Sequence, residues 1–262
     1  MTPPGQAASR AGANADPGYS VVGPEHGLPI VFVHGIRMNR GMWEPQMTAL
    51  QDEFRAVAMD LPGHGVCRGS AFSLELCCEH LARAIREAAG GRALLVGLSM
   101  GGYVSMAFGA RYPEMLHGLV LSGASAQPTG PWVWAYRAGG VAAGVLPEGL
   151  LSAANAAWLR LQFGPIAEPT ICRGFGFRCV ADAVGEIAGR DFVTLLAGFQ
   201  GPVLLLNGAR DVLFGRDLRR FAEATSACEV EILAGAGHLS SLQRPEAFSA
   251  AVRRFARRLR DG

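Results

Sequence analysis

The chain has 262 residues, 50% of them hydrophobic and 18% charged, and its 24 basic residues, all arginine, nearly balance 22 acidic ones for a formal net charge of +2. This length and composition fit one globular α/β domain with room for an inserted subdomain, and they exclude a disordered chain. So small a charge makes no demand for nucleic acid or an anionic membrane as partner.

The opening stretch MTPPGQAASRAGANADPG, residues 1–18, is rich in Pro, Gly, Ala and Asn and reads as a mobile tail. It lacks the apolar core of a signal peptide, and no uninterrupted apolar stretch of the chain is long enough to span a bilayer. Short apolar runs then recur: PIVFV (Pro29–Val33), AVAM (Ala56–Met59), ALLV (Ala93–Val96), GLVLS (Gly118–Ser122), PVLLL (Pro202–Leu206) and VEIL (Val230–Leu233). Continuous runs of this length, bounded by Gly and Pro, predict strands buried on both faces of a parallel sheet.

Helical patterns fill the gaps. From Ser73, a candidate N-cap, SLELCCEHLARAIREA puts Leu74, Cys77, Cys78, Leu81 and Ile85 on one face. A second helix is expected to start just after Ser99 and to stop near Tyr112, because Pro113 disfavours helix in the residue before it. Near the C-terminus Phe248, Val252, Phe255 and Leu259 form a stripe, with Arg253, Arg254, Arg257 and Arg258 on the other faces as a solvated surface. Strands alternating with helices predict an α/β fold, a mostly parallel sheet flanked by helices. Residues 126–197 break the rhythm: they hold no clear strand but many Gly, Ala and aromatic residues, and read as a helical cap inserted in a core of residues 19–125 and 198–262.

The six cysteines, Cys67, Cys77, Cys78, Cys172, Cys179 and Cys228, show no metal-ligand spacing, so no metal is expected, and a reduced, cytoplasmic setting is. The chemistry is expected at three strand ends, followed by GLSMGG, NGARD and GAGH. In a parallel sheet the carboxyl ends of the strands share one edge, so Ser99, Asp211 and His238 can meet there. A serine hydroxyl needs a base to attack; His238 supplies one, and Asp211 can orient the imidazole. An aspartate in a Gly-Ala-Arg-Asp turn can also serve local hydrogen bonding alone, but LSGASA at the earlier strand end offers no rival carboxylate. The glycines around Ser99 leave room for a sharp strand-to-helix turn, the nucleophile-elbow pattern, and the order Ser, Asp, His is that of one hydrolase group. Two oxyanion donors are expected in the backbone N–H groups of Met100 and Ile36, the latter in the loop VHGIRMNRGMW.

From about Gly27 to Gly262 the chain resembles the α/β-hydrolase superfamily, through VHG, MDLPGHG, GLSMGG, GARD and GAGH in the family's order and spacing. GMWEPQM together with GLSMGG is most similar to its small esterases, enol-lactonases and cofactor-free haloperoxidases. The resemblance implies a serine hydrolase of an ester or lactone without metal or organic cofactor, and the few charges and many aromatics of residues 126–197 predict a small to medium, mainly apolar substrate. Carbon–carbon hydrolysis or perhydrolysis on the same residues, or slow-turnover ligand binding, are the alternatives. It makes His34, Asp60 and His64 loop-shaping turn residues, and the segment after LVLSG a cap whose Trp132, Trp134, Tyr136, Trp158 and Phe163 touch substrate as a group. It also leaves little room before Pro29 for the family's first pair of strands.

Overall fold

The structure, a computed structural model, describes residues 16–261. The expected mobile tail therefore lies mostly outside the described residues. Its last three residues are held: Asp16 pairs with Arg40, and the Gly18 carbonyl accepts from the Asp60 N–H at 2.8 Å.

Seven strands form one sheet, β1 (Tyr19–Val22), β2 (Pro29–Val33), β3 (Arg55–Met59), β4 (Ala93–Leu98), β5 (Leu116–Ser122), β6 (Val203–Gly208) and β7 (Cys228–Leu233). Their order is β1-β3-β2-β4-β5-β6-β7, and every pairing is parallel except β1 with β3. One strand thus precedes Pro29, where the family pattern has two. It pairs Tyr19 with Met59 and Val22 with Ala56, closing that edge in antiparallel fashion.

Between the strands lie α1 (Glu44–Leu50), α2 (Leu74–Ala88), α3 (Met100–Arg111), α4 (Pro131–Val145), α5 (Glu148–Phe163), α6 (Glu168–Cys172), α7 (Val180–Ile187), α8 (Phe192–Ala197), α9 (Leu218–Glu223), α10 (Ser240–Gln243) and α11 (Pro245–Asp261). The side-chain alternation of a strand sorts the core into two layers. Val31, Val33 and Leu95 pack with α2 and α3 on one face; Ile30, Phe32, Leu94 and Val96 pack with α1 and α11 on the other. Trp43 anchors the second layer, with its ring 5.1 Å from Phe32 and 5.8 Å from Phe248.

The Ser73 side chain caps α2 through the Leu76 N–H, and α3 ends at Arg111 before Pro113, as expected. On α11 the arginines are not simply solvated: Arg253, Arg257 and Arg260 converge on Glu53, while Arg254 and Arg258 reach Glu231 and Glu229 of β7. The Arg257 guanidinium, with Arg260 and Arg253 beside it, lowers the Glu53 carboxyl to about 2.

The expectation of two buried faces fails at β7. It is an edge strand, with Val230 and Ile232 about half exposed, because only β6 flanks it and no helix covers that face fully. Residues 126–197 are helical, running from α4 to α8 between β5 and β6. Within them α4 packs on α7, around Val133, Val180 and Val184, whereas α8 packs down on α3, with Phe192 4.7 Å from Tyr103. Among the described residues no helix is long and apolar enough to cross a membrane.

Candidate active site

Ser99 sits where β4 turns into α3, with φ +56° and ψ −120°, a conformation that L-residues adopt only under constraint. The glycines explain how so sharp a turn packs. A Cβ on Gly97 would stand 2.4 Å from the Gly101 carbonyl oxygen, and one on Gly101 would stand 2.2 Å from that of Val33. The Ser99 N–H donates to the Ser122 carbonyl at 2.7 Å, and its own carbonyl accepts from the Gly102 and Tyr103 N–H groups. The backbone is thus tied at both ends, which leaves the hydroxyl at the mouth of the turn.

His238, after β7, reaches that hydroxyl, and Asp211, after β6, reaches His238. His238 Nε2 lies 2.9 Å from Ser99 Oγ, and His238 Nδ1 lies 2.8 Å from Asp211 Oδ2. A carboxylate can only accept, so the pairing puts the imidazole proton on Nδ1 and leaves Nε2 free to accept from the serine. Asp211 Oδ1 accepts in turn from the Phe214 N–H at 3.3 Å, and the Phe214 ring stacks on the imidazole at 4.1 Å. The Asp211 side chain is buried, while that of His238 is partly exposed. A base within reach of a hydroxyl, itself oriented by an acid, is an arrangement able to drive nucleophilic attack.

The loop after β2 lies against this elbow; a side chain on Gly35 would come within 3.5 Å of Ser99 Cβ. The next residue is Ile36, and Met100 opens α3, where the first N–H groups have no partner within the helix. Neither N–H donates to an acceptor among the described residues. Beneath the loop lie two buried histidines. His34 donates from Nδ1 to the Gly35 carbonyl and accepts at Nε2 from the Leu61 N–H, 3.0 Å away. His64 donates from Nδ1 to the Pro62 carbonyl and accepts at Nε2 from the Arg37 N–H, 3.2 Å away. Burial holds both rings neutral, lowering His34 to about 4 and His64 to about 3. Asp60 accepts from the Arg40 and Val66 N–H groups and from the Arg40 guanidinium. These three residues shape loops and do not touch Ser99.

Two cavities meet at Ser99 and share Ile36 and Tyr136 as walls. One, of about 50 Å³, is apolar and runs under α4 along Tyr103, Trp132, Val133 and Phe214. The other, of about 170 Å³, opens beside His238 and carries Arg37, Asn155 and Trp158. Of the five cap aromatics, Trp132, Tyr136 and Trp158 therefore line the site. Trp134 does not: it is 63% exposed on the outer side of α4, under the Arg137 guanidinium. Phe163 packs edge-on against Trp158, away from both cavities. Phe214, Gly123 and Cys179 matter to the geometry and carry no local sequence signal.

Residues 30–251 match the alpha/beta hydrolase family. The 3-oxoadipate enol-lactonase 1 of Acinetobacter baylyi is 25% identical over 240 residues, covering 86% of this chain and 87% of that protein. The pimeloyl-[acyl-carrier protein] methyl ester esterase of Yersinia enterocolitica is 27% identical, covering 81% of this chain and 75% of that one. Among solved structures, a thermophilic esterase from Thermogutta terrifontis superposes with a TM-score of 0.77 at 27% identity, over 92% of this chain and 93% of its own. The chain belongs to the alpha/beta hydrolase family and is a hydrolase of the small esterase and enol-lactonase type.

Proposed function

We propose that this hydrolase cleaves a small-molecule carboxylic ester or lactone through an acyl-enzyme on Ser99. Ser99 Oγ attacks the carbonyl carbon as its proton passes to His238 Nε2, and Asp211 stabilises the imidazolium that results. The carbonyl oxygen becomes an oxyanion and accepts from the Ile36 and Met100 N–H groups. The carbon–oxygen bond to the leaving alcohol then breaks, and His238 returns the proton to that oxygen. In a lactone the freed hydroxyl stays tethered to the acyl group. Water attacks the acyl-enzyme next, giving a proton to Nε2; the carboxylic acid leaves and the proton returns to Oγ.

The observation that carries this reading is the pair of hydrogen bonds at His238, 2.9 Å to Ser99 Oγ and 2.8 Å to Asp211 Oδ2. The two curated relatives are named for a lactone and a methyl ester, which supports these two substrate classes. The cavities refine the expectation of a mainly apolar substrate. The narrow apolar one takes a hydrocarbon arm. The other takes a more polar arm, ending in a carboxylate or another acceptor, since Arg37 and Asn155 are among its walls; the Arg37 guanidinium lies 5.8 Å from the centroid of the Phe177 ring and has no carboxylate within ion-pairing distance among the described residues.

The test is hydrolysis of p-nitrophenyl esters of increasing acyl length by the wild type and Ser99→Ala. Turnover should vanish in the variant, and the wild type should favour short to medium chains. A folded Ser99→Ala protein that hydrolyses esters at the wild-type rate would overturn the reading.

A further inference from the structure

The candidate donor Ile36 N–H precedes an unusual residue. Arg37 has φ +67°, a left-handed conformation that a side chain with a Cβ adopts only when its surroundings enforce it. Both backbone groups of Arg37 are held. Its N–H donates to His64 Nε2 at 3.2 Å, and its carbonyl accepts from the Gly176 N–H at 3.0 Å. The first partner comes from the loop after β3, the second from the insertion between α6 and α7. Holding these two groups restrains the torsions on either side of the Ile36–Arg37 peptide, and so the direction of the N–H one peptide earlier.

His64 is itself built to accept there. Its Nδ1–H is committed to the Pro62 carbonyl at 3.0 Å, which leaves Nε2 as the acceptor. The ring has no room to turn. A Cβ on Gly176 would stand 2.7 Å from His64 Cδ2, and Cys179 Sγ lies 3.5 and 3.7 Å from the two ring nitrogens. The Cys179 thiol also reaches the Gly63 carbonyl at 3.3 Å, closing the same segment over the His64 loop. His34 faces the ring from another side, with centroids 4.8 Å apart. Burial keeps His64 neutral, the state in which Nε2 can accept.

We propose that His64 is a positioning residue for the oxyanion donor Ile36 N–H, and that residues 176–179 of the insertion lock it in place. The cap then does more than roof the site: through Gly176 it holds one side of the loop that meets the developing charge. This inference rests on the reading of Ile36 N–H as an oxyanion donor, and it assigns His64 no contact with substrate.

The test compares His64→Phe, which keeps a ring but removes the acceptor, with His64→Gln, whose side-chain oxygen can reach the Nε2 position. On a p-nitrophenyl ester, His64→Phe should lower kcat by about tenfold to a hundredfold, below the full loss of one oxyanion donor, and change KM less than threefold. His64→Gln should recover most of kcat. A trifluoromethyl ketone, bound as an oxyanion on Ser99, should weaken in His64→Phe by the factor lost from kcat/KM, while the carboxylic acid product binds as before. In wild type, hydrogen exchange should find the Arg37 amide protected, a readout that needs no variant to fold. An Arg37 amide exchanging as fast as an open loop, or a His64→Phe enzyme with wild-type kcat beside an inactive Ser99→Ala, would overturn the clamp alone. Wild-type turnover by Ser99→Ala would overturn the serine reading and the clamp with it.

Discussion

Gly123, just past β5, lies so close to His238 that a methyl group on its Cα would stand 2.9 Å from Nδ1 and 3.2 Å from Asp211 Oδ2. It cannot withdraw, because its N–H is held by Asn207 Oδ1 at 2.9 Å and its φ is +57°. Gly123→Ala should therefore push the imidazole off Asp211 and lower kcat by about a hundredfold, as small misplacements of catalytic groups do. The left-handed backbone adds roughly 1–2 kcal/mol of lost stability. Steady-state kinetics and urea melts on the same preparation measure the two effects; a variant with wild-type kcat would contradict this account of the contact.

Phe214 bears on the same imidazole from its flat side, 4.1 Å between centroids and 29° between planes. Its backbone N–H also donates to Asp211, so truncating the ring leaves Asp211 held and frees only the imidazole. Phe214→Ala should cost about tenfold in kcat, through a base no longer held in line. It also widens the apolar cavity, so the best acyl chain should lengthen by one or two carbons. An unchanged chain-length profile would show that the ring does not bound the cavity.

The buried histidines make the fold sensitive to acid. Below their ordinary value of 6.5, His34 and His64 take up protons when unfolded but stay neutral in the folded protein until pH falls to about 4 and about 3. The unfolded chain thus binds more protons, and stability is complete above pH 6.5 and falls as pH drops below it. Each ring contributes a slope of about 1.4 kcal/mol per pH unit well inside that window. Urea unfolding between pH 7 and 5 should show the decline, and His64→Gln should remove one ring's share of it. Stability independent of pH over that range would contradict the neutral state assigned to both buried rings.

Arg37 is the charged group beside the wider cavity. Arg37→Gln should lower kcat/KM about tenfold or more for an ester bearing a terminal carboxylate, chiefly through KM, since hydrogen bonds to charged groups contribute about 1.5–3 kcal/mol. Neutral esters of the same length should change less than threefold. Equal losses on both would mean that the substitution acts through the loop and not through charge.

Much of this site was legible in the sequence because its residue types are dictated by chemistry and its backbone by sterics. Gly97 and Gly101 flank Ser99 since no side chain fits there, and Asp211 and His238 follow strands that end at one edge. The cap aromatics resisted reading for a physical reason. α4 is apolar on almost every side, so helical periodicity could not tell Trp132 and Tyr136, which face the cavities, from Trp134, which faces water. At β7 Glu229 and Glu231 alternate with Val230 and Ile232, a pattern that would turn the two apolar residues inward, yet both stand about half exposed because β7 is the edge of the sheet. The meeting of His64 with Cys179 spans 115 residues, and no local pattern announces it. Gly123 stood in LSGASA, a stretch informative by its missing carboxylate; its closeness to His238 needed coordinates.

The wide separation of Ser99 and His238 along the chain has a consequence for synthesis. Ser99 and His238 are 139 residues apart, and β4 leaves the ribosome well before β7. A nascent chain that has already built β4 and the serine turn carries a hydroxyl with no base to take its proton. Domains fold as their sequence emerges, from the N-terminal side first. On the proposed mechanism Ser99 therefore has no base until β7 docks beside β6 and brings His238 to its hydroxyl.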